Sequence, residues 1–247
     1  MTHRSPLIVS FLALAACGDN RALPRALPPD AASDAPSDAG PAAPPRAVVV
    51  AGDFTPGDLG VLSTLDPVTR TTQTDVGPTG AVGSDPVLRH LGHELFVVNR
   101  GDNNVTILDD QTLAFKEQLG TGAGSNPQDV AVVGDRLYVP SFGTRGVTVL
   151  TRGATATTTI DLSADDPDGK PDCDTAYAVG NRVYVACGLL TTTFEATQPG
   201  KVYVIDTATD AVETALTVTL LHKNPLGWFE QLPPGGPDAG DLVIATV

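Results

Sequence analysis

Aromatic residues and basic residues are both scarce in this chain. Aromatics make up 5% of the 247 residues, so the hydrophobic core must come mainly from valine, leucine, isoleucine and alanine. There are 15 lysine and arginine residues against 29 aspartate and glutamate residues, a formal net charge of −14. Nucleic-acid phosphates and anionic lipid headgroups attract basic surfaces, so this charge argues against both as partners of the folded domain.

Signatures of common catalytic sites are also missing. The sequence contains no Gly-x-Ser-x-Gly nucleophile elbow. The loop of Gly120, Gly122 and Gly124 precedes a predicted strand and not a helix, so it lacks the geometry that cradles phosphate. His90 and His93 fall in a predicted turn with no evident third metal ligand. We therefore predict no catalytic residues.

The N-terminus carries a short apolar segment, Leu7 to Ala16, which is too short to span a bilayer as a helix. Its length suits an export signal, and its end, Leu14-Ala15-Ala16-Cys17, resembles a bacterial lipobox. That resemblance implies a signal peptide over residues 1–17, cleavage before Cys17, and lipidation of the Cys17 thiol. Several acyl chains give stable membrane anchoring. The alternative is an ordinary secretory signal with a chance cysteine.

Residues 18–46 are dominated by alanine, proline and aspartate, as in 27–32 and 41–45. Such a segment has almost no apolar surface to bury, so we predict a disordered, semi-stiff linker. The linker would hold the folded domain away from the membrane. Together with the lipobox it predicts a lipid-anchored protein of the bacterial cell envelope, with the outer membrane or the cell surface favoured.

From residue 47 onward, short apolar runs recur in a fixed order between Gly, Asn and Asp residues. Period-2 runs rich in valine, isoleucine and tyrosine predict antiparallel strands. The runs that we interpret as the second strand of each unit occur at 47–50, 95–98, 137–139, 183–185 and 242–244, and those of the third strand at 62–66, 105–109, 147–150 and 202–206. A period of about 40–50 residues with about four strands per unit predicts an all-β fold, a β-propeller of four-stranded antiparallel blades.

The runs resemble the YVTN-type β-propeller repeats of bacterial envelope proteins. The match is best at 95–99, 183–186 and 201–209, and the Asn126-Pro127 and Asn224-Pro225 pairs stand where such repeats place a turn before the innermost strand. The resemblance covers residues 47–247. It implies the fold and not the activity, because propellers carry many unrelated functions.

The repeats predict about four blades plus the start of a fifth. The first unit lacks the first of the four strands. The fifth unit, which opens at Asn224-Pro225, reaches its second strand at the end of the sequence. We interpret residues 47–247 as a partial propeller, the N-terminal part of a longer one. A chain of this length would expose a strand edge and tend to associate.

Two cysteines remain after Cys17. Cys173 and Cys187 flank a predicted hairpin around Gly180. A three-residue turn centred on Gly180 would place them opposite each other, whereas a two-residue turn at Gly180-Asn181 would offset them by one residue, onto opposite faces. An oxidising envelope permits a disulfide. A disulfide and two buried free thiols are both open.

The loop 161–174 is the densest acidic cluster in the sequence. Asp166, Asp168 and Asp172, with Gly169 for a sharp turn, resemble the start of a Ca²⁺-binding loop. The loop lacks the third early ligand and the closing glutamate of an EF-hand. A solvated acidic loop without a metal is the alternative.

These patterns favour a non-catalytic binding or interaction scaffold tethered through Cys17. Its partners would be the membrane, through the lipid, and a protein or small-molecule ligand. Two alternatives are a lactonase-like propeller enzyme with an axial metal site and a non-functional truncated product. Trp228 and Phe229 suit either the core between blades or the wall of a central pocket.

Overall fold

The computed structural model describes residues 46–55, 57–233 and 240–246. In these ranges the protein is all-β, with one short 3₁₀ helix, Ser163–Asp165, and no α-helix. No helix in the same ranges is long and apolar enough to cross a bilayer. The predicted signal peptide, the predicted lipidation site Cys17 and residues 18–45 of the predicted linker lie outside the described residues.

Within the described residues, five antiparallel sheets follow one another in sequence. The first has three strands, in the order β1 Ala47–Ala51, β2 Val61–Asp66 and β3 Thr71–Gln73. The second has four strands, β4 Pro86–Leu91, β5 Glu94–Asn99, β6 Asn104–Asp109 and β7 Phe115–Gly120. The third has four strands, β8 Ala131–Val133, β9 Arg136–Pro140, β10 Gly146–Thr151 and β11 Thr157–Asp161.

The fourth sheet departs slightly from this pattern, because its outermost strand is divided. Its strands are β12 Cys173–Val179, β13 Arg182–Cys187, β14 Pro199–Asp206, β15 Ala211–Val212 and β16 Val218–Lys223. Both β15 and β16 pair with β14, and a turn in which the Leu216 N–H donates to the Glu213 carbonyl separates them. The last sheet is a pair, β17 Glu230–Gln231 and β18 Leu242–Val243, extended by a bridge between Pro225 and Thr246.

This architecture confirms the predicted all-β fold of four-stranded antiparallel blades. In the second and third sheets the strands stand in sequence order, each paired with the next through a short connection, and β12, β13 and β14 of the fourth sheet follow the same order. In the first sheet β1 is an edge strand, because no further strand of the described residues takes the place that the innermost strand has in the next three sheets. The last sheet supplies the first and second strands of a further unit.

The second strand of each blade shows why the sheets stack. In β5 the side chains alternate between two buried faces, with Leu95 and Val97 on one and Phe96 and Val98 on the other. Successive side chains of a strand point to opposite faces of its sheet, so an uninterrupted apolar run requires a partner on both sides. Each middle sheet is therefore covered by the preceding sheet and by the following one.

Four apolar clusters fill the spaces between successive sheets. The cluster between the first and second sheets includes Leu62 and Leu108, and the next includes Ile107 and Leu137. The third, between the third and fourth sheets, is built around Tyr138, and the fourth holds Phe229 against the fourth sheet. Aliphatic side chains make up most of the clusters, as the scarcity of aromatics requires.

The two ends of this row of sheets are less well covered. Apart from Phe115, Val179 and Phe194, every exposed large hydrophobic side chain in the described part of the chain lies within 49–68 or 216–243. The described residues of these ranges include part of β1, all of β2 and the segment from β16 to β18. We call them the terminal apolar surfaces.

We call the first strand of each blade its inner strand; these are β4, β8 and β12 in the second to fourth sheets. A residue with left-handed backbone conformation precedes the inner strands of the later blades. Asn126, Asp172 and Asn224 have φ values of 48°, 49° and 42° and stand directly before Pro127, Cys173 and Pro225. Asparagine and aspartate tolerate this conformation better than most residues. The two Asn-Pro pairs thus lie at turns before the inner strands, as the repeat predicted, and Asp172 takes the equivalent place in the fourth blade.

Candidate functional site

A buried ion pair joins the inner strands of three blades. Asp129, two residues before β8 in the third blade, has a fully buried carboxylate. Arg89 on β4 donates to it through Nε, to Oδ1 at 2.5 Å, and through Nη2, to Oδ2 at 2.6 Å. From the fourth blade, the Thr175 hydroxyl and the Ala176 N–H donate to the same Oδ2 at 2.8 and 3.0 Å.

These contacts leave little of the pair free for chemistry. A buried carboxylate is tolerated when it is paired and when hydrogen bonds satisfy its oxygens, and both conditions hold at Asp129. The guanidinium of Arg89 also lies over the Trp228 ring, 4.7 Å from its centroid. We call Arg89, Asp129 and Thr175 the axial clamp. Its hydrogen bonds hold the second, third and fourth blades together.

A narrow cleft of about 200 Å³ borders the clamp on the inner strands. Apart from Arg89 and Tyr177, its walls are small or aliphatic residues, among them Ala131, Ala176 and Ala178. It offers few polar groups to orient a ligand.

The hairpin of the fourth blade has the two-residue turn, yet it places the two cysteines opposite each other. Val179 pairs with Arg182, so the turn is the two-residue turn at Gly180-Asn181. Cys173 nevertheless pairs with Cys187, because a β-bulge between Cys173 and Thr175 shifts the register by one residue. The two sulfur atoms form a disulfide. The bulge restores the alignment that the short turn removes.

The extra residue of this bulge is Asp174. Bulges re-aim side chains, and here the Asp174 carboxylate accepts the N–H of Gly227 from the last unit at 3.2 Å. Burial raises the pKa of Asp174, the Asp129 carboxylate raises it further, and Arg100 and Arg89 oppose the shift. The bulge therefore adds a partly buried acid beside the axial clamp and links the fourth blade to the last unit.

A larger cavity, of about 350 Å³, opens at one end of the third and fourth blades. This volume lies in the range of about 300–1,000 Å³ that is typical of small-molecule sites. We call it the inter-blade cavity. The side chains that give it chemical character are those of Asn126, Phe142, Asp168, Lys170, Asp172 and Phe194.

Hydrogen bonds from backbone N–H groups fix both walls of the inter-blade cavity. On one side the Phe142 N–H donates to the Asn126 carbonyl at 3.1 Å, and the Gly143 N–H donates to the Ser125 carbonyl at 2.8 Å. On the other side the Leu190 N–H donates to Asp172 Oδ2 at 3.0 Å. A side chain at Gly143 would collide with the Gly124 carbonyl oxygen, since an added Cβ would lie 1.8 Å from it. The cavity is thus a built feature of the fold.

The Phe194 wall comes from an extended connection. Residues 188–198 join β13 to β14, whereas the equivalent connections in the two preceding blades are 100–103 and 141–145. Phe194 has a φ of 58°, a strained conformation for a bulky residue that costs on the order of 1–3 kcal/mol. Its side chain is 65% exposed, so burial does not offset this cost. Core packing therefore does not explain the position of the ring.

Asp172 is the most constrained acid of the inter-blade cavity. The residue is 5% exposed, and its Oδ2 already accepts the Leu190 N–H. Burial, together with the nearby carboxylates of Asp166 and Asp168, raises the pKa of Asp172 to about 6, although the Leu190 N–H and Lys170 oppose the shift. Among the described residues, no ion pair involves Asp168, Lys170 or Asp172. These charges remain available to a ligand, unlike those of the axial clamp.

Comparisons with known proteins identify no family for this chain. No protein-family model matches the chain, and no curated protein matches it in sequence. Among solved structures it is similar to Kuenenia stuttgartiensis hydrazine synthase, with 19% identity and a TM-score of 0.47 over 71% of this chain and 47% of that one. It is also similar to dihydro-heme d1 dehydrogenase NirN in complex with DHE, with 16% identity and a TM-score of 0.47 over 82% and 43% of the two chains.

The chain spans less than half the length of either structure. At this distance the two likenesses carry no argument about activity. The propeller assignment rests on the strand order of the blades and on the apolar clusters between them.

The three carboxylates predicted as a Ca²⁺ site are not arranged as one. Asp166 Oδ1 accepts the N–H groups of Asp168, Gly169 and Lys170 at 2.9, 3.0 and 3.3 Å, which shapes the loop, and Asp172 is bound to Leu190. Across 46–55, 57–233 and 240–246, no group of three or more His, Cys, Asp or Glu side chains is placed to hold a metal ion. Backbone N–H groups occupy Asp166 Oδ1 and Asp172 Oδ2, whereas Asp166 Oδ2 has no hydrogen-bond partner within the described part of the chain.

His90 and His93 also lie apart from the axial clamp. Both are exposed, and they approach the carboxylate of Asp110, His90 at 3.0 Å and His93 at 4.0 Å. The sequence did not indicate Asp110 as their neighbour, because β5 and β6 separate it from them. The three residues form a surface cluster on the second blade.

Trp228 and Phe229 differ in their surroundings, and only Phe229 takes the core position considered for the pair. Phe229 is 5% exposed and belongs to the apolar cluster on the fourth blade. Trp228 is 52% exposed and lies over Arg89. The axial clamp itself was missed, although Asp129 gave a signal, a charged residue directly before the apolar run Val130-Ala131-Val132-Val133.

Proposed function

We propose that the protein is a lipid-anchored β-propeller of the bacterial cell envelope that binds a small ligand without transforming it. The inter-blade cavity is the observation that carries the proposal. Its walls are fixed by hydrogen bonds, it is large enough for a small molecule, and it presents aromatic rings and unpaired charges. Preformed, partly apolar cavities with a few oriented polar groups are typical of binding sites.

Two further observations support the envelope location. The lipobox-like sequence ending at Cys17 and the proline-rich linker suit an anchor and a spacer. The disulfide between Cys173 and Cys187 suits an oxidising compartment, because cytosolic thiols are kept reduced.

Two measurements on the full-length protein test the proposal. Growth with an alkyne-tagged fatty acid should label the wild type and not Cys17→Ser; equal labelling of both would overturn the anchor. A small-molecule screen by thermal shift should find ligands that raise the Tm of the wild type and not of Phe194→Ala, and these should be recovered chemically unchanged. Consumption of the ligand would instead show an enzyme.

A further inference from the structure

The electrostatic character of the inter-blade cavity is negative on two counts. The rings of Phe142 and Phe194 stand 6.4 Å apart between centroids, inclined at 38°. Aromatic faces carry partial negative charge and attract cations within about 6 Å of the ring centroid. The carboxylates of Asp168 and Asp172 border the same space.

We infer that the inter-blade cavity binds a small organic ammonium ion, held between the Asp172 carboxylate and the rings of Phe142 and Phe194. This inference rests on the proposed binding function and specifies its ligand class. It accounts for the exposed, strained Phe194, because a bound cation would cover the ring and gain from its face. It also gives the buried, unpaired Asp172 a counter-ion.

Lys170 stands in the lining of the cavity and carries the opposite charge. Its side chain is exposed, on a flexible stem, so its ammonium group can turn into solvent, whereas Asp172 is held by the Leu190 N–H. A zwitterionic ligand could direct a carboxylate toward Lys170 and its ammonium end toward Asp172. Choline and glycine betaine share a trimethylammonium group and differ in this second feature.

Cation binding at Asp172 has a defined pH dependence. The pKa of Asp172 is about 6, raised by burial and by Asp166 and Asp168, with Lys170 opposing the shift. For such a pKa, the ionised fraction increases from about 10% at pH 5 to about 90% at pH 7. Since the ligand requires the ionised form, its affinity should increase about tenfold over this range.

The test is calorimetric titration of the full-length protein in a maltoside detergent, which carries no ammonium group. The probes are choline, glycine betaine and 3,3-dimethyl-1-butanol, the uncharged analogue of choline. Binding of choline, of betaine or of both, with much weaker binding of the neutral alcohol, supports the inference. Equal binding of the alcohol overturns the ammonium class and leaves the binding function intact. If none of the three binds, the ammonium inference is overturned.

Matched variants place the ligand in the cavity. Asp172→Asn keeps an acceptor for the Leu190 N–H and should weaken binding at pH 7 at least about tenfold and abolish its pH dependence. Phe194→Leu should weaken it about two- to fivefold. The controls are Asp58→Asn and Phe115→Leu, which alter an exposed carboxylate and an exposed ring elsewhere and should bind as the wild type does.

Far-ultraviolet circular dichroism shows whether each variant is folded. If the ammonium compounds bind folded Asp172→Asn and Phe194→Leu as tightly as the wild type, the site lies elsewhere. That result would overturn both this inference and the assignment of the binding function to the inter-blade cavity.

Discussion

Arg89 and Asp129 meet through two parallel hydrogen bonds, 2.5 and 2.6 Å long, between strands of different blades. Removing one partner of such a buried pair leaves an uncompensated charge and typically costs about 3–5 kcal/mol. We therefore expect Asp129→Asn to lower the free energy of unfolding by roughly 3 kcal/mol, measured by urea denaturation. The surface pair Arg145 and Asp161 provides the control, because both side chains are more than half exposed. Arg145→Gln should change stability by about 0.5 kcal/mol or less; similar losses in both variants would contradict a clamp.

The disulfide between Cys173 and Cys187 should stabilise the fourth blade. It closes a short loop, with a sequence separation of 14, and cross-links of this size contribute about 2–4 kcal/mol by restricting the unfolded chain. The double variant Cys173→Ala/Cys187→Ala should have a lower Tm than the wild type. Reductant should lower the Tm of the wild type and leave the variant unchanged. Alkylation of both thiols in the unreduced wild type, detected by mass spectrometry, would show that the bond is absent.

Asp172 should make stability depend on pH in a direction opposite to that of most carboxylates. Its pKa is raised from 3.8 to about 6 in the folded protein. The folded state therefore binds the proton more tightly than the unfolded state, and this contribution to stability is lost as the pH increases from about 4 through 6. Asp172→Asn should unfold at a higher Tm than the wild type at pH 7.5, with a difference that shrinks toward pH 4. Asp58→Asn should show no such trend in the same series of thermal melts.

The terminal apolar surfaces should cause the protein to self-associate. Val49 on β1 is 51% exposed, Val61 on β2 is 41% exposed and Leu221 on β16 is 93% exposed. Exposed apolar strands at a sheet edge pair readily with other chains. Light scattering coupled to gel filtration in detergent should show a mass that increases with protein concentration. Val49→Lys should shift the population toward monomer, whereas Phe115→Lys on a middle blade should not; equal effects would point away from the terminal sheets.

The blades could be predicted from the sequence because their signal is local and repeated. The run Leu95-Phe96-Val97-Val98 has no polar face, and its alternating side chains are buried against two different neighbours. Each recurrence of such a run therefore specifies a strand with a sheet on both sides. The turns at Asn126 and Asn224 were predicted from the resemblance to YVTN-type repeats.

The functional geometry could not be predicted in the same way. The Arg89–Asp129 pair depends on how two separate blades stand relative to each other, which no periodicity encodes. The pairing of Cys173 with Cys187 depends on a single extra residue, Asp174, whose effect cancels that of the short turn. Phe194 lies in a connection without repeat character, so its place beside Phe142 follows from the folded loop alone.

The stacking of the sheets has a consequence for how the molecule opens. In the described part of the chain, each apolar cluster is shared by two adjacent sheets, so cohesion passes from neighbour to neighbour, as in a linear array of coupled units. Thermal fluctuations should then peel sheets away from the ends before the centre yields. Amide protons of the first sheet will exchange with deuterium sooner than those of β9 and β10, and protection will grade inward along the array.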